Sequence, residues 1–314
     1  MSRDLALAVA AGLLSALLFF SVLSGGAAGL VLTYGAPMPL MLTGLGLGLP
    51  GVLVASVVAG GTVAMAGLYP AGIFAASVVL PSLVVTRQAL LWRRGAGGDV
   101  EWYPPGLVLG WLTAAGLAVL VAAPFVLPGH EGGLEGWIRD YLGLALDALT
   151  AGGMVPPEAR EPMVAMWAPL LPAMVAGSWL VMALANAVLA QAVLVRFKRN
   201  RRPTPDYQAL ELPDWCAAGL GVSAVLAVVA GGDLGYVARN AIGLLLVPYV
   251  FLGLAGMHGA IRQRPNGGIL LALFYGAFVL LFGWAVIAAA GVGLVRHLIQ
   301  LQRRFGGGRD QEGE

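Results

Sequence analysis

Charged side chains are scarce in this chain. Asp, Glu, Lys and Arg together make up 11% of its 314 residues, whereas soluble domains carry roughly 25%. The mean hydropathy is correspondingly high, at +0.85. Apolar runs of about 20 residues recur, which is the length needed to cross a hydrocarbon core roughly 30 Å thick. The composition therefore excludes a soluble globular protein and predicts an integral membrane protein with several crossings.

Reactive and metal-binding side chains are also few. The single cysteine, Cys216, excludes a disulfide within the chain, and the three histidines are scattered over both predicted sides of the membrane. Sequence motifs for zinc proteases, serine hydrolases and P-loop nucleotide binding are missing. No Asp or Glu lies in the middle of an apolar run. We therefore expect no enzyme activity, no catalytic residues, no metal and no cofactor. The net charge of +2 does not indicate a nucleic-acid partner.

The apolar runs predict helices rather than the strands of a barrel. Backbone groups inside a bilayer must be paired within a helix or a closed barrel, and these runs are continuously apolar instead of alternating. Nine segments are predicted: 5–23, 27–49, 51–68, 71–91, 106–127, 162–195, 215–230, 237–261 and 268–299. The predicted fold class is an all-α polytopic bundle. A single membrane domain is expected over 1–305 and a disordered polar tail over 306–314.

The loop charges predict which side of the membrane each loop occupies. Positive charge favours the cytoplasm, so a cytoplasmic basic loop is predicted at Arg196, Lys198, Arg199, Arg201 and Arg202. The acidic loop over 128–161 is then outside, and the N-terminus is cytoplasmic, in a bacterial inner membrane. Strict alternation puts the C-terminus outside, whereas its arginines favour the cytoplasm. Two explanations of this conflict remain open from the sequence. Either the ninth segment folds back near Gly283, or the preference of positive charge for the cytoplasm does not hold at the tail.

Within the acidic loop, apolar residues recur at helical spacing over 134–150. This pattern predicts an amphipathic helix lying in the outer interface. The helix is either a connector on the surface or a lid over a substrate entrance. The small-residue series Gly253, Gly256 and Gly259 predicts close helix packing within the bundle.

Polar residues inside the spans supply the candidate ligand site. Pro37, with Pro39, is predicted to break the second segment, because proline lacks the N–H that a helix needs, and broken helices line binding sites in transporters. Tyr34 precedes the break. Asn186, Arg239 and Asn240 lie in later segments, and polar groups within a membrane are costly and often functional. Tyr34, Pro37, Asn186, Arg239 and Asn240 are thus the predicted ligand-binding residues, with helix packing as the alternative role.

Several short motifs together carry a family resemblance. They are Tyr34-Gly35-Ala36-Pro37-Met38-Pro39-Leu40, Gly44-Leu45-Gly46-Leu47-Gly48, Asn186, Arg202-Pro203, Leu210-Glu211-Leu212-Pro213-Asp214-Trp215, Arg239-Asn240, Pro248 and Gly253-Leu254-Ala255-Gly256-Met257-His258, followed by a basic C-terminal helix. On these motifs the chain resembles the YybS-like family of bacterial multi-pass membrane proteins of unknown function, in its proteobacterial form. That family is distantly similar to the substrate-binding subunits of energy-coupling-factor transporters. The resemblance implies a small-molecule-binding bundle.

Two functions remain open from the sequence. One is a small-molecule-binding or transport component, which would need a separate ATPase and coupling module as partners. The other is a structural or assembly protein of the cell envelope, whose basic loop meets envelope proteins or anionic lipid headgroups. The lipid bilayer is a partner in both cases.

Overall fold

The computed structural model describes residues 3–95, 97–127 and 130–306, and the regular secondary structure of this part of the chain is helical apart from one short hairpin. The helices are α1 (Arg3–Phe20), α2 (Gly26–Tyr34), α3 (Pro37–Leu47), α4 (Leu49–Ala64), α5 (Leu68–Phe74), α6 (Leu80–Ala89), α7 (Pro105–Val126), α8 (Gly133–Ala151), α9 (Arg160–Trp167), α10 (Leu171–Arg196), α11 (Trp215–Val229), α12 (Gly232–Arg262), α13 (Gly267–Leu280) and α14 (Phe282–Gly306). The hairpin pairs β1 (Trp92–Arg94) with β2 (Val100–Trp102) in antiparallel fashion. The predicted all-α class is confirmed.

Seven stretches are long and apolar enough to cross a membrane. They are Arg3–Ser24, Gly26–Leu47, Leu68–Ala89, Pro105–Val126, Leu171–Arg196, Gly232–Arg262 and Phe282–Arg304. The helices α4, α11 and α13 are apolar but shorter. A polytopic helical bundle is thus confirmed, while the number of nine crossings stays a prediction.

Predicted breaks in the apolar segments coincide with helix ends. The second segment divides between Tyr34 and Pro37, as predicted, and Pro37 takes the first position of α3, where a missing N–H costs nothing. The ninth segment divides between α13 and α14 at Leu281, two residues before Gly283. The amphipathic segment 134–150 forms α8, which is also as predicted.

The described chain divides into two compact units. Unit 1 comprises Met1–Leu112 and Trp179–Glu211, and unit 2 comprises Thr113–Ser178 and Leu212–Glu314. The change from one unit to the other falls within α7 and within α10. The single membrane domain over 1–305 stays a prediction. The tail at 306–314 lies outside the described residues, apart from Gly306 at the end of α14.

The core of unit 1 forms where α1, α3, α4 and α5 pack together. Leu40, Val52 and Phe74 are fully buried in this cluster. Small residues let α1 and α4 approach closely, since a Cβ at Gly12 would lie 2.5 Å from the Ala55 carbonyl oxygen. This is the close packing that small residues allow between membrane helices.

A proline inside unit 1 explains a long-range hydrogen bond. Pro81 has no N–H to donate to the carbonyl of Ser77, four residues earlier, and the backbone forms a π-helical turn over Ala75–Val79 just before it. The Trp179 indole N–H donates to that Ser77 oxygen at 3.0 Å. The carbonyl freed by proline is therefore paired by a side chain from α10, as membrane depth requires.

In unit 2, α12 packs against both α11 and α14. Tyr249 faces His297, and Gly253 faces Gly293, so α12 and α14 run antiparallel. At the end of α14, Arg304 donates to Asp214 at 2.9 Å. This ion pair joins the basic end of α14 to the residue that precedes α11.

Candidate functional site

The helix break at Pro37 is held by Asn186. The Met38 N–H donates to the Gly35 oxygen at 3.0 Å, so the Tyr34 carbonyl receives no helical hydrogen bond from it. The Asn186 amide donates instead, at 2.7 Å to the Tyr34 oxygen and at 2.8 Å to the Met182 oxygen. The structure thus brings Tyr34, Pro37 and Asn186 together in unit 1, and the buried Asn186 amide pairs the broken backbone.

Asn240, in unit 2, bonds to the connection between α9 and α10. Its side-chain oxygen accepts from the Ala173 N–H at 2.9 Å, and its amide donates to Pro169 at 3.1 Å and Tyr236 at 3.0 Å. The Tyr236 hydroxyl donates to the Ala168 oxygen at 2.6 Å. Ala173 lies in the first turn of α10, where N–H groups have no helical partner. Asn240 therefore caps α10 and attaches it to α12.

Arg239, the neighbour of Asn240 on α12, makes an ion pair with a residue of α8. Its guanidinium lies 3.7 Å from Glu135 of α8, and Glu135 also accepts from Arg139 at 3.2 Å. Arg239 and Glu135 are both part-exposed, so the pair is solvated and weak. Arg239 and Asn240 thus belong to contacts of α12 within unit 2.

Polar contacts also anchor α8 at both ends. Asp233 accepts from the Leu134 N–H at 2.7 Å, which satisfies an N-terminal donor of α8. Near the other end, Arg160 bonds both carboxylate oxygens of Asp147, at 2.5 and 3.1 Å, and also contacts Glu161. The hydrogen bond from Arg160 lowers the pKa of Asp147, and Asp147 raises the pKa of Arg160. The choice between connector and lid stays open.

The basic loop separates into two groups. In the first, Arg201 donates to the Gly46 oxygen at 3.0 Å and Arg202 donates to the Ala89 oxygen at 2.8 Å. These carbonyls lie in the last turns of α3 and α6, where oxygens have no helical donor and the helix dipole favours a cation. Arg202 is buried beside Trp102, and this burial lowers the pKa of its guanidinium. Arg201 and Arg202 therefore act as caps.

The second group comprises Arg196, Lys198 and Arg199, which are exposed. Their side chains make no hydrogen bond or ion pair with any described residue. Arg199 stands at one end of an open cavity of about 500 Å³, lined by α1 and α3, which we name the α1–α3 groove. Its walls are otherwise mostly apolar and include Leu7, Ala10 and Leu14 of α1, and Pro39 and Leu47 of α3.

Sequence reasoning missed this groove and one buried polar cluster. In unit 2 the Tyr249 hydroxyl and both ring nitrogens of His297 are buried, without a hydrogen-bond partner among the described residues. The two rings lie 5.6 Å apart. A histidine within an amphipathic segment was the available signal for the cluster. For the groove, the available signals were the small residues of α1 and the basic loop, which both contribute to its lining.

In the described part of the chain, no three His, Cys, Asp or Glu residues lie close enough together to hold a metal ion.

Comparison with known proteins places the chain in a family. The model of a family described as "Predicted membrane protein (DUF2232)" matches residues 13–295. No curated protein and no solved structure matches the chain. The match agrees with the resemblance to YybS-like membrane proteins of unknown function, whereas the similarity to transporter subunits stays a prediction. Because the match covers most of the sequence, the chain belongs to this family of membrane proteins, Predicted membrane protein (DUF2232).

Proposed function

We propose that the protein is a non-enzymatic small-molecule-binding component of the bacterial inner membrane, and that its ligand occupies the α1–α3 groove. The observation that carries this proposal is the groove itself. Its volume of about 500 Å³ lies in the range typical of ligand sites. Its mostly apolar walls and single arginine suit an amphiphilic molecule that enters from the bilayer.

The contacts of the predicted polar site support placing the ligand in the groove. The side-chain amides of Asn186 and Asn240 donate their hydrogen bonds to backbone carbonyls, and Arg239 is paired with Glu135. We infer that these residues hold helices in place. The break at Pro37 then acts indirectly, because it sets the direction of α3, which forms one wall of the groove.

Transport would require partners in addition to this chain. The sequence has no P-loop motif, so a separate ATPase and coupling module would have to supply the energy. We place the basic loop in the cytoplasm by its charge, and the N-terminus on the same side by alternation of the predicted segments. The Arg304–Asp214 ion pair supports a C-terminus on the side where α11 begins. Reporter fusions at each terminus test this topology, and opposite sides for the two reporters would refute it.

Ligand retention tests the binding proposal. The protein is purified in mild detergent and analysed by native mass spectrometry for molecules that stay bound. Ala10→Phe places a large side chain in the groove, and Ala28→Phe adds the same side chain at an exposed position of α2. We expect Ala10→Phe to lose the bound molecule and Ala28→Phe to keep it. Equal retention by both variants would refute a ligand in the groove.

A role in envelope assembly is the second candidate, and the exposed Arg196 and Lys198 favour it. These cations have no partner in the described part of the chain and are free to meet an acidic protein surface. Reversing both charges should then abolish co-purification of envelope proteins, while Asn186→Leu leaves it intact. The opposite pattern would exclude this candidate.

A further inference from the structure

The backbone at the basic end of the α1–α3 groove takes a defined turn. At the end of α10 the Arg199 N–H donates to Leu194 at 2.8 Å, and the Lys198 N–H donates to Val195 at 3.1 Å. These two bonds define a Schellman motif, whose turning residue takes a left-handed conformation. Lys198 takes that place, with φ of +54°. The motif ends α10 and leaves Arg199 beside the end of α3.

Arg199 is in contact with the groove through backbone packing as well. A Cβ at Gly46 would lie 3.0 Å from the Leu194 side chain and 3.9 Å from the Arg199 oxygen. The glycine thus lets the end of α10 approach the last turn of α3. Arg201 strengthens this approach by capping the Gly46 carbonyl. The position of Arg199 is therefore fixed by two contacts that do not use its own guanidinium.

The shape and charge of the groove match one kind of molecule. From Leu7 to Leu14 the α1 wall is roughly 10 Å long, at 1.5 Å per residue. This wall offers only aliphatic side chains to the groove, including the small Ala10. Arg3 and Asp4, one turn before Leu7, offset each other in charge. Arg199, with Arg196 and Lys198 close by in sequence, leaves a net positive end that no described side chain neutralises.

We propose that the α1–α3 groove binds an anionic phospholipid, with an acyl chain along Leu7, Ala10 and Leu14 and its phosphate on the Arg199 guanidinium. This inference rests on the proposed function, since it names the ligand class of the same groove. A phosphate group presents oxygens that arginine binds through paired N–H donors. The acyl chain lies on the exposed apolar wall. It keeps an apolar environment when it moves from the bilayer to the groove, so this move costs no hydrophobic free energy.

Lipid competition tests the headgroup. The purified protein is equilibrated with equal amounts of phosphatidylglycerol and phosphatidylcholine of identical chains, and retained lipids are counted by native mass spectrometry. Wild type should retain mainly phosphatidylglycerol. Arg199→Gln should lower the ratio of the two lipids about fivefold, as expected for one basic side chain at a membrane surface. Arg94→Gln removes the same charge from the exposed hairpin and should leave the ratio unchanged.

The outcomes separate the two proposals. If Ala10→Phe releases the lipid and Arg199→Gln keeps the wild-type ratio, the anionic lipid is excluded and a groove ligand remains. If Ala10→Phe releases nothing, the groove itself is not the site. Light scattering on the same samples detects a second copy of this chain. A dimer that Ala10→Phe dissociates would overturn the proposal in favour of self-association.

Discussion

Replacing Gly293 with alanine tests whether α12 and α14 touch through their backbones. A Cβ at Gly293 would meet the Tyr249 carbonyl group, with its carbon at 2.8 Å, and the Gly253 nitrogen at 3.0 Å. All of these atoms are backbone, so no side-chain rotation can relieve the contact. Gly291, two residues earlier on the same helix, is the matched control, because a Cβ there meets nothing within 4 Å.

The expected magnitude follows from comparing the two alanines. Each gains about 1 kcal/mol from the better helix propensity of alanine over glycine, and this gain cancels in the difference. Gly293→Ala must also push α12 away from α14, because the new methyl group would otherwise overlap the Tyr249 carbonyl group. Such overpacking typically costs about 1–3 kcal/mol. The unfolding equilibrium constants of the two variants should therefore differ about 5- to 150-fold.

Titration with sodium dodecyl sulfate, followed by circular dichroism of the purified protein in mild detergent, measures this difference. We expect Gly293→Ala to unfold at a lower dodecyl sulfate fraction than Gly291→Ala, with Gly291→Ala equal to or above wild type. Equal midpoints for the two variants would show that α12 and α14 are not in backbone contact, which would contradict the arrangement of unit 2.

Three further perturbations address contacts of single residues. Asn186→Leu removes the donor to the Tyr34 carbonyl and should destabilise the protein in the same titration by about 0.6 kcal/mol, the mean for such bonds in membranes, and by no more than about 1.7 kcal/mol, the maximum. Lys198→Gly should raise the unfolding midpoint, because a left-handed conformation costs a residue with a Cβ about 1–2 kcal/mol, and Lys198→Val should lower it. Arg160 lowers the pKa of Asp147 below its usual value of 3.8, so this ion pair is fully present above that pH and is lost as the pH falls below it. Limited proteolysis near α8 should therefore accelerate in acid.

Each of these predictions has a control. Asn186→Gln keeps an amide but moves it away from the Tyr34 carbonyl, and it should therefore destabilise the protein as well. Wild-type stability in both variants would contradict the bond to Tyr34. For Lys198, equal midpoints for glycine and valine would exclude the left-handed turn. Asp147→Asn should remove the acid-dependent step in proteolysis near α8, and a step that persists in this variant would assign it to other carboxylates.

Local features of the fold could be predicted because their causes are local. The break at Pro37 follows from the missing proline N–H, and α8 follows from apolar residues at helical spacing. Contacts over long sequence distances could not be predicted in the same way. The indole of Trp179 pairs a carbonyl 102 positions away, at Ser77, and the partner of Asn186 lies 152 positions away. No spacing rule links such residues.

The sequence by itself determined that this chain is a helical membrane protein, because the length and continuity of apolar runs suffice to predict membrane spans. It also predicted a basic loop, but nothing in the sequence assigns different roles to the five cations of that loop. Only the tertiary structure separated Arg201 and Arg202, which cap the ends of α3 and α6, from Arg199, which stands at the α1–α3 groove. The reason is physical. The role of a cation depends on which oxygens lie within its reach, and folding brings those oxygens from distant parts of the chain.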